Sequence, residues 1–222
     1  MSRRLAIAAL PALLLCTACN SEGNSTYGQF YQIARQSMAA SFGDVRVTRE
    51  QAAAIPYASI GYSIDHGNEN ILVLATDNNG DQLWTSASHV VLVTHDGRVL
   101  RSVGLDHDLA GTTFTNGAAI PAPAEAIKGA FASTRQMDFP ELGLYGLTVS
   151  CRANAQGRQT IKILGQALTT IRVDEACESP TRNWSFVNSY WVDPDNGLVW
   201  RSQQHLHPKG GVIEIQTLRP LG

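Results

Sequence analysis

Four kinds of chemistry have their raw materials in this chain. Glycosidic-bond hydrolysis needs two carboxylates facing across a cleft. Asp65, Glu69, Asp77, Asp138, Glu141, Asp174, Glu175, Asp193 and Asp195 are available for it. Most lie in turn-like stretches, where an Asp side chain folds back on the backbone, and their spacing pairs no two of them. Nucleophilic hydrolysis needs a serine on a sharp turn beside a histidine. The nearest segment, Gly61-Tyr-Ser-Ile-Asp65, lacks the last glycine of Gly-x-Ser-x-Gly. Metal binding needs three or four converging ligands. The six histidines, at 66, 89, 95, 107, 205 and 207, are scattered, although Asp106-His107-Asp108 is dense in donors and His205 and His207 would share a strand face. They are assigned to loops and surface, so no metal, cofactor or catalytic residue is proposed from sequence. The fourth chemistry is sugar stacking on Trp84, Trp184, Trp191 or Trp200, against the competing role of tryptophan as core filling. Trp191 is the best of these as a ligand contact. Arg201 and Gln203, along the outer face of the next strand, are its companions.

The elements that position these residues are mostly short strands. Asp193-Pro-Asp-Asn-Gly197 is a turn cluster between two apolar runs, which predicts a hairpin. Centring it on Asp195 would set Tyr190 opposite Trp200 and Val192 opposite Leu198 on one face, with Trp191 and Val199 on the other. Further turns are expected at His66–Glu69, Asn78–Asp81, His95-Asp-Gly97, Ala155-Gln-Gly157 and Pro208–Gly211. Residues 105–134 have no clear pattern. Apolar spacing at Phe30, Ile33, Ala34 and Met38 predicts an amphipathic helix from Tyr27 to about Ser41. Thr48 with Gln51 forms a capping box for a second short helix, which Ile55-Pro56 would end. About a dozen strands behind a short N-terminal helix give an all-β class, an antiparallel β-barrel or sandwich.

Composition narrows the partners. A formal net charge of −2 and the absence of a dense Lys/Arg run after residue 4 give no footprint for nucleic acid. Arg3-Arg4 followed by the apolar stretch Leu5–Leu15 is the pattern of an export signal, too short to span about 30 Å of hydrocarbon. Leu15-Cys-Thr-Ala-Cys19 resembles the lipobox of bacterial lipoproteins, which implies cleavage after Ala18 and acylation of Cys19. Cys16 stands where that motif usually has leucine. The alternative is an ordinary secretory signal cut near Ala18. By resemblance to lipoprotein sorting rules, Asn20 favours the outer membrane. The expected organisation is a signal peptide at 1–18, a lipid-anchored tether at 19–26 and one β-rich periplasmic domain at 27–222. Cys151 and Cys177 then remain as a plausible disulfide in an oxidising compartment, or as two buried thiols.

The chain resembles the YjbF/GfcB family of bacterial lipoproteins, associated with exopolysaccharide and group 4 capsule export. The matching residues are Ala58-Ser-Ile60, Leu72–Ala75, Trp84, Thr94-His-Asp-Gly-Arg98, Gly104-Leu105 and Asp108-Leu109. The most specific block is Glu175, Cys177, Asn188-Ser-Tyr-Trp-Val-Asp193, Gly197-Leu-Val-Trp-Arg-Ser-Gln203, Pro208 and Leu218-Arg-Pro220. The resemblance implies an exported, membrane-tethered β-barrel-like domain acting with polysaccharide export components, and it carries no catalytic residues. The expected partners are the bilayer, through the acyl chains, and either export proteins or the glycan itself. Two other readings stay open: a periplasmic barrel holding a hydrophobic or glycan ligand, and a carboxylate-pair polysaccharide hydrolase.

Overall fold

The computed structural model describes residues 46–115 and 119–222. The signal, tether and first-helix expectations, Cys19 included, lie outside them. Twelve antiparallel strands form one sheet: β1 (Ser59–Ile64), β2 (Asn70–Asn78), β3 (Asp81–Thr85), β4 (Val91–His95), β5 (Arg98–Val103), β6 (Gly111–Phe114), β7 (Phe131–Phe139), β8 (Leu144–Ile163), β9 (Gln166–Ser179), β10 (Trp184–Val192), β11 (Val199–His205) and β12 (Val212–Arg219). The order is β5-β4-β3-β2-β1-β12-β11-β10-β9-β8-β7-β6. Strands adjacent in sequence are therefore adjacent in space, β12 returns to pair with β1, and the two edges are the consecutive strands β5 and β6. The result is a nearly closed up-and-down barrel, the all-β class the strand pattern predicts.

The seam between β5 and β6 is clipped by local polar groups. Ser102 N–H donates to the Leu109 carbonyl at 2.8 Å, and Leu109 N–H donates to Ser102 Oγ at 2.9 Å. Asp108 accepts from Ser102 Oγ and from the Gly104 and Leu105 amides. The clip occupies edge groups that would otherwise invite another strand.

Before the barrel, a short helix α1 (Arg49–Ala53) starts as its capping box dictates. Gln51 N–H donates to Thr48 Oγ1 at 3.2 Å, and Thr48 N–H donates to Gln51 Oε1 at 2.9 Å. Among the described residues no helix is long and apolar enough to cross a membrane.

Two expectations are corrected. Ala155-Gln-Gly157 is not a turn; β8 runs unbroken for 20 residues and takes up the irregularity as a bulge between Ala155 and Gly157. A bulge bends a strand without ending it, and Gly157, at φ +122, tolerates the conformation. The reversal comes later, at Leu164-Gly165, both with positive φ, the two-residue geometry that matches hairpin twist. The second correction concerns register between β10 and β11. Tyr190 faces Ser202, Trp191 faces Arg201 and Val192 faces Val199, with a shift between Trp191 and Val192. The shift makes Trp200 the extra residue. It leaves the inner face and packs with Trp191 and Leu218 on the opposite side of the sheet. Asp193 causes this locally: one carboxylate oxygen accepts from Asp195 N–H and the other from the Trp200 indole N–H at 3.2 Å.

Among the described residues the core has three parts. The largest cluster fills one part of the barrel with Leu72, Trp84, Leu92, Leu109, Phe139, Val149, Ile213 and their neighbours. A second, of Ala126, Ala153, Val173, Tyr190, Val192 and Val199, is packed by the 3-10 turn at Pro123–Ile127. The residues between 105 and 134 that show no sequence pattern thus include a segment that plugs the interior. The third cluster lies outside the barrel. There the far end of the β8–β9 hairpin sets Ile161 and Ile163 against Trp191.

Candidate functional site

Inside the barrel, Arg98, Arg135 and Glu175 meet with 2%, 3% and 0% exposure. Arg98 Nη1 donates to both Glu175 oxygens at 2.8 Å, and Arg135 Nη1 donates to the same oxygens at 3.3 and 3.1 Å. Asn188 Nδ2 adds a bond of 3.2 Å to Glu175 Oε2, while Asn188 Oδ1 accepts from His205 N–H. Burial alone would raise the Glu175 carboxyl, but the two guanidinium groups outweigh it and hold it down at about 2. Tyr190, donating to Gln204 Oε1 and accepting from Arg98, is pushed up to about 12 by burial. Two cations against one anion leave a surplus positive charge in the interior. The aromatic faces of Phe114 and Tyr190, 5.7 and 5.4 Å from the Arg98 guanidinium carbon, help carry it.

Arg98, Glu175, Asn188 and Tyr190 all stand among the residues that carry the family resemblance, spread over β5, β9 and β10. Sequence reasoning offered Glu175 only as one of several candidate carboxylates for hydrolysis, foresaw no ion cluster, and missed Arg135 altogether. Their alternation with outward residues was the available signal, but only barrel closure makes them neighbours.

This interior bears on the two alternative readings. An acyl chain along the barrel axis would have to displace a desolvated ion cluster and large side chains such as Tyr190 and Phe139, both 0% exposed. Glu175, held ionised between two arginines, has no proton to give as a general acid. Other carboxylates serve the backbone: Asp65 accepts from Val212 N–H, Asp77 from Gly80 N–H and Asp138 from Gly146 N–H. Asp174 binds Arg172 and Ser189.

At another point the structure assembles His107, Glu141 and His207, a group the sequence does not predict. Glu141 Oε1 lies 2.8 Å from His107 Nδ1 and 3.0 Å from His207 Nε2, and the two imidazoles stack at 4.8 Å. His207 is fully buried against Phe139, and burial lowers its pKa. Its Nδ1 accepts the Lys209 N–H at 3.0 Å, so the ring proton of the neutral imidazole belongs on Nε2, which is close to Glu141 but not in hydrogen-bond geometry with it. That nitrogen is not a free metal ligand in this arrangement. His205 tilts against Phe186, while His207 stands edge-on to Phe139.

The residues singled out as partner contacts lie on the outer face. Trp191 points away from the barrel interior but is only 7% exposed, because the β8–β9 hairpin covers it. Its indole N–H donates to Gln159 Oε1 at 2.8 Å, and Arg172 and Arg201 flank its ring at 5.6 and 5.8 Å. A sugar cannot stack on it without lifting the hairpin. Trp84 is also buried, its indole N–H on Thr94 Oγ1. Arg201 is half-buried at the wall of a cleft of about 550 Å³. Gln203 donates to Glu214 Oε2 at 2.9 Å and so orders a carboxylate of the same cleft.

Glu69, on the other side of that cleft, accepts Val47 N–H at 2.8 Å. Burial raises its pKa, although Val47 and Arg46 oppose the shift. A folded-state pKa above the unfolded value means that stability falls as pH rises through that window. Glu69→Gln keeps an acceptor for Val47 and removes the penalty. The variant is expected to melt higher than wild type near pH 7, with the gain shrinking toward pH 4, as checked by thermal unfolding across that range.

Comparison with known proteins agrees with this architecture. Residues 35–218 match the family model described as group 4 capsule polysaccharide lipoprotein gfcB, YjbF. The lipoprotein GfcB of Escherichia coli strain K12 is 29% identical over 180 residues, covering 80% of this chain and 83% of that one. The lipoprotein YjbF of the same organism is 27% identical over 206 residues, covering 88% and 91%. The crystal structure of the hypothetical lipoprotein YmcC from Escherichia coli K12 superposes with a TM-score of 0.74 at 26% identity, over 90% of this chain and 98% of that one. With the match running from before α1 into β12 as far as Leu218, and so through every strand of the barrel, the chain belongs to the YjbF family of capsule polysaccharide lipoproteins.

Proposed function

We propose that this protein is a lipoprotein anchored through acylated Cys19 in the outer membrane, where it assists secretion of an exopolysaccharide or capsule polysaccharide from the periplasmic side without itself making or breaking a glycosidic bond. The observation that carries this reading is membership of a capsule polysaccharide lipoprotein family along 35–218. The interior supports a non-catalytic part, since the Glu175 carboxylate is buried and paired with two arginines. A disulfide joins Cys151 to Cys177, which suits an oxidising compartment.

Two measurements test the reading. Deletion of the gene is expected to lower the amount or alter the length of surface polysaccharide; an unchanged surface glycan counts against the role. Mass spectrometry of the mature N-terminus is expected to show acyl chains on Cys19, and Cys19→Ser is expected to leave the membrane fraction. Wild-type protein that is unacylated and free of membrane removes the anchor from the proposal.

A further inference from the structure

The cations of the outer cleft come from three separate parts of the chain. Arg46 precedes α1, Arg49 begins it, Lys162 lies near the tip of the β8–β9 hairpin and Arg201 sits on β11. Two carboxylates, Glu69 and Glu214, share the cleft. Both are already engaged: Glu69 by Val47 N–H, and Glu214 by Arg46, Gln203 and Gln216. The cations are held differently. Arg49 donates through Nε and Nη2 to the Leu164 carbonyl at 3.2 and 2.8 Å, and Arg201 Nη2 donates to the Lys162 carbonyl at 3.1 Å.

A carbonyl fixes a guanidinium without cancelling its charge. Among the described residues, no carboxylate stands within ion-pair distance of Arg49, Lys162 or Arg201, although Glu69 and Glu214 attract Arg201 from farther away. Arg201 Nε is in addition a buried donor without a partner. A chain of formal net charge −2 thus gathers four cations against two acids around one cleft. Such preorganised guanidinium groups favour planar anions. Trp191 acts here as a positioning residue, its ring fixing the Arg201 side chain from the inner side.

We propose that this cleft binds acidic polysaccharide, with Arg49, Lys162 and Arg201 receiving the carboxylates of successive uronate-type sugars. The choice of a glycan over other polyanions rests on the capsule-related reading above; the cationic site itself does not. An open, polar cleft suits a hydrated chain that must be released again, and its charge excess is the feature that selects acidic over neutral glycans.

The test titrates the purified full chain in detergent with oligogalacturonate, with a neutral dextran oligomer of equal length, and with phosphatidylglycerol vesicles. Galacturonate is expected to bind and dextran not, with affinity falling as sodium chloride is added. Arg201→Gln and Lys162→Gln are each expected to weaken galacturonate binding roughly tenfold. Lys162 is exposed, so its variant remains informative if Arg201→Gln folds poorly. Arg158→Gln removes the same charge from an exposed residue of the same hairpin outside the cleft and is expected to change nothing. The proposal is overturned by galacturonate binding no better than dextran, by equal losses in Arg158→Gln, or by vesicles binding where galacturonate does not. Uronate binding that survives alongside an unchanged surface glycan in the deletion strain would sink the secretion role and leave the cleft standing. A glycan phenotype without uronate binding would do the reverse.

Discussion

Glu175→Gln is expected to destabilise the fold by about 3–5 kcal/mol, the usual consequence of removing one partner from a buried ion cluster. The neutral amide leaves Arg98 and Arg135 as two desolvated cations that were oriented on the same two oxygens, and one amide oxygen cannot satisfy both. Urea unfolding near neutral pH measures the loss; a change below about 1 kcal/mol would mean that water or another group compensates the arginines. The pH dependence has a definite sign. The folded-state pKa of about 2 lies below the ordinary 4.5, so the contribution of this carboxylate is fully present above about 4.5. It is lost as pH falls toward 2, because the unfolded chain takes up the proton first. Wild-type stability should therefore drop over that interval, and Glu175→Gln should flatten the part of the drop that comes from this group. A triple variant, Arg98→Met with Arg135→Met and Glu175→Leu, separates stability from specification, since apolar replacement of a whole buried cluster is often neutral or stabilising. Recovery of stability in the triple variant would show that the ions orient β5, β7 and β9 rather than hold them together.

The second large effect belongs to the disulfide. Cys151 and Cys177 stand directly opposite on β8 and β9, with Cα atoms 4.1 Å apart and 26 positions between them in sequence. Closing a loop of that size restricts the unfolded chain, and the chain-entropy model puts the gain at about 3 kcal/mol. The paired variant Cys151→Ser/Cys177→Ser is expected to lose approximately that much in denaturant unfolding. It should lose more if wall and interior are coupled, because Arg135 Nη2 lies 3.5 Å from Cys177 Sγ and Glu175 is two residues away on the same strand face. Adding the disulfide variant to Glu175→Gln tests that coupling, as sites in contact depart from additivity. Strict additivity would mean that the bond acts on the unfolded state alone.

The ion cluster and the outer cleft place different demands on the same strands. On β10, Asn188 and Tyr190 serve the interior while Ser189 and Trp191 serve the outside, where Ser189 and Arg172 share Asp174 and Trp191 lies under the hairpin. On β11, Gln204 bonds Gly97 and Ser202 within the barrel, while Arg201 and Gln203 line or order the cleft. The block of residues between 188 and 203 that carries the family resemblance, with Gln204 just after it, therefore has two structural duties, alternating residue by residue as a strand requires.

The sequence alone determined the local grammar. Period-two alternation and turn clusters specify an all-β chain of about a dozen strands, Thr48 and Gln51 start α1, and the block around 188–203 identifies the family. These signals are short-range, and each acts within a few residues of itself. Tertiary structure decided the rest, because it depends on distance in space rather than along the chain. A one-residue bulge at β10–β11 moved Trp200 to the outer face, and Gly157 let β8 bend where a turn is expected. Closure through β12 and β1 brought Arg98, Arg135 and Glu175 together from positions 40 and 77 residues apart. The folded-back hairpin covered Trp191, the residue that the sequence offered most openly to a ligand, and in the same movement carried Lys162 to Arg201 and made the cleft.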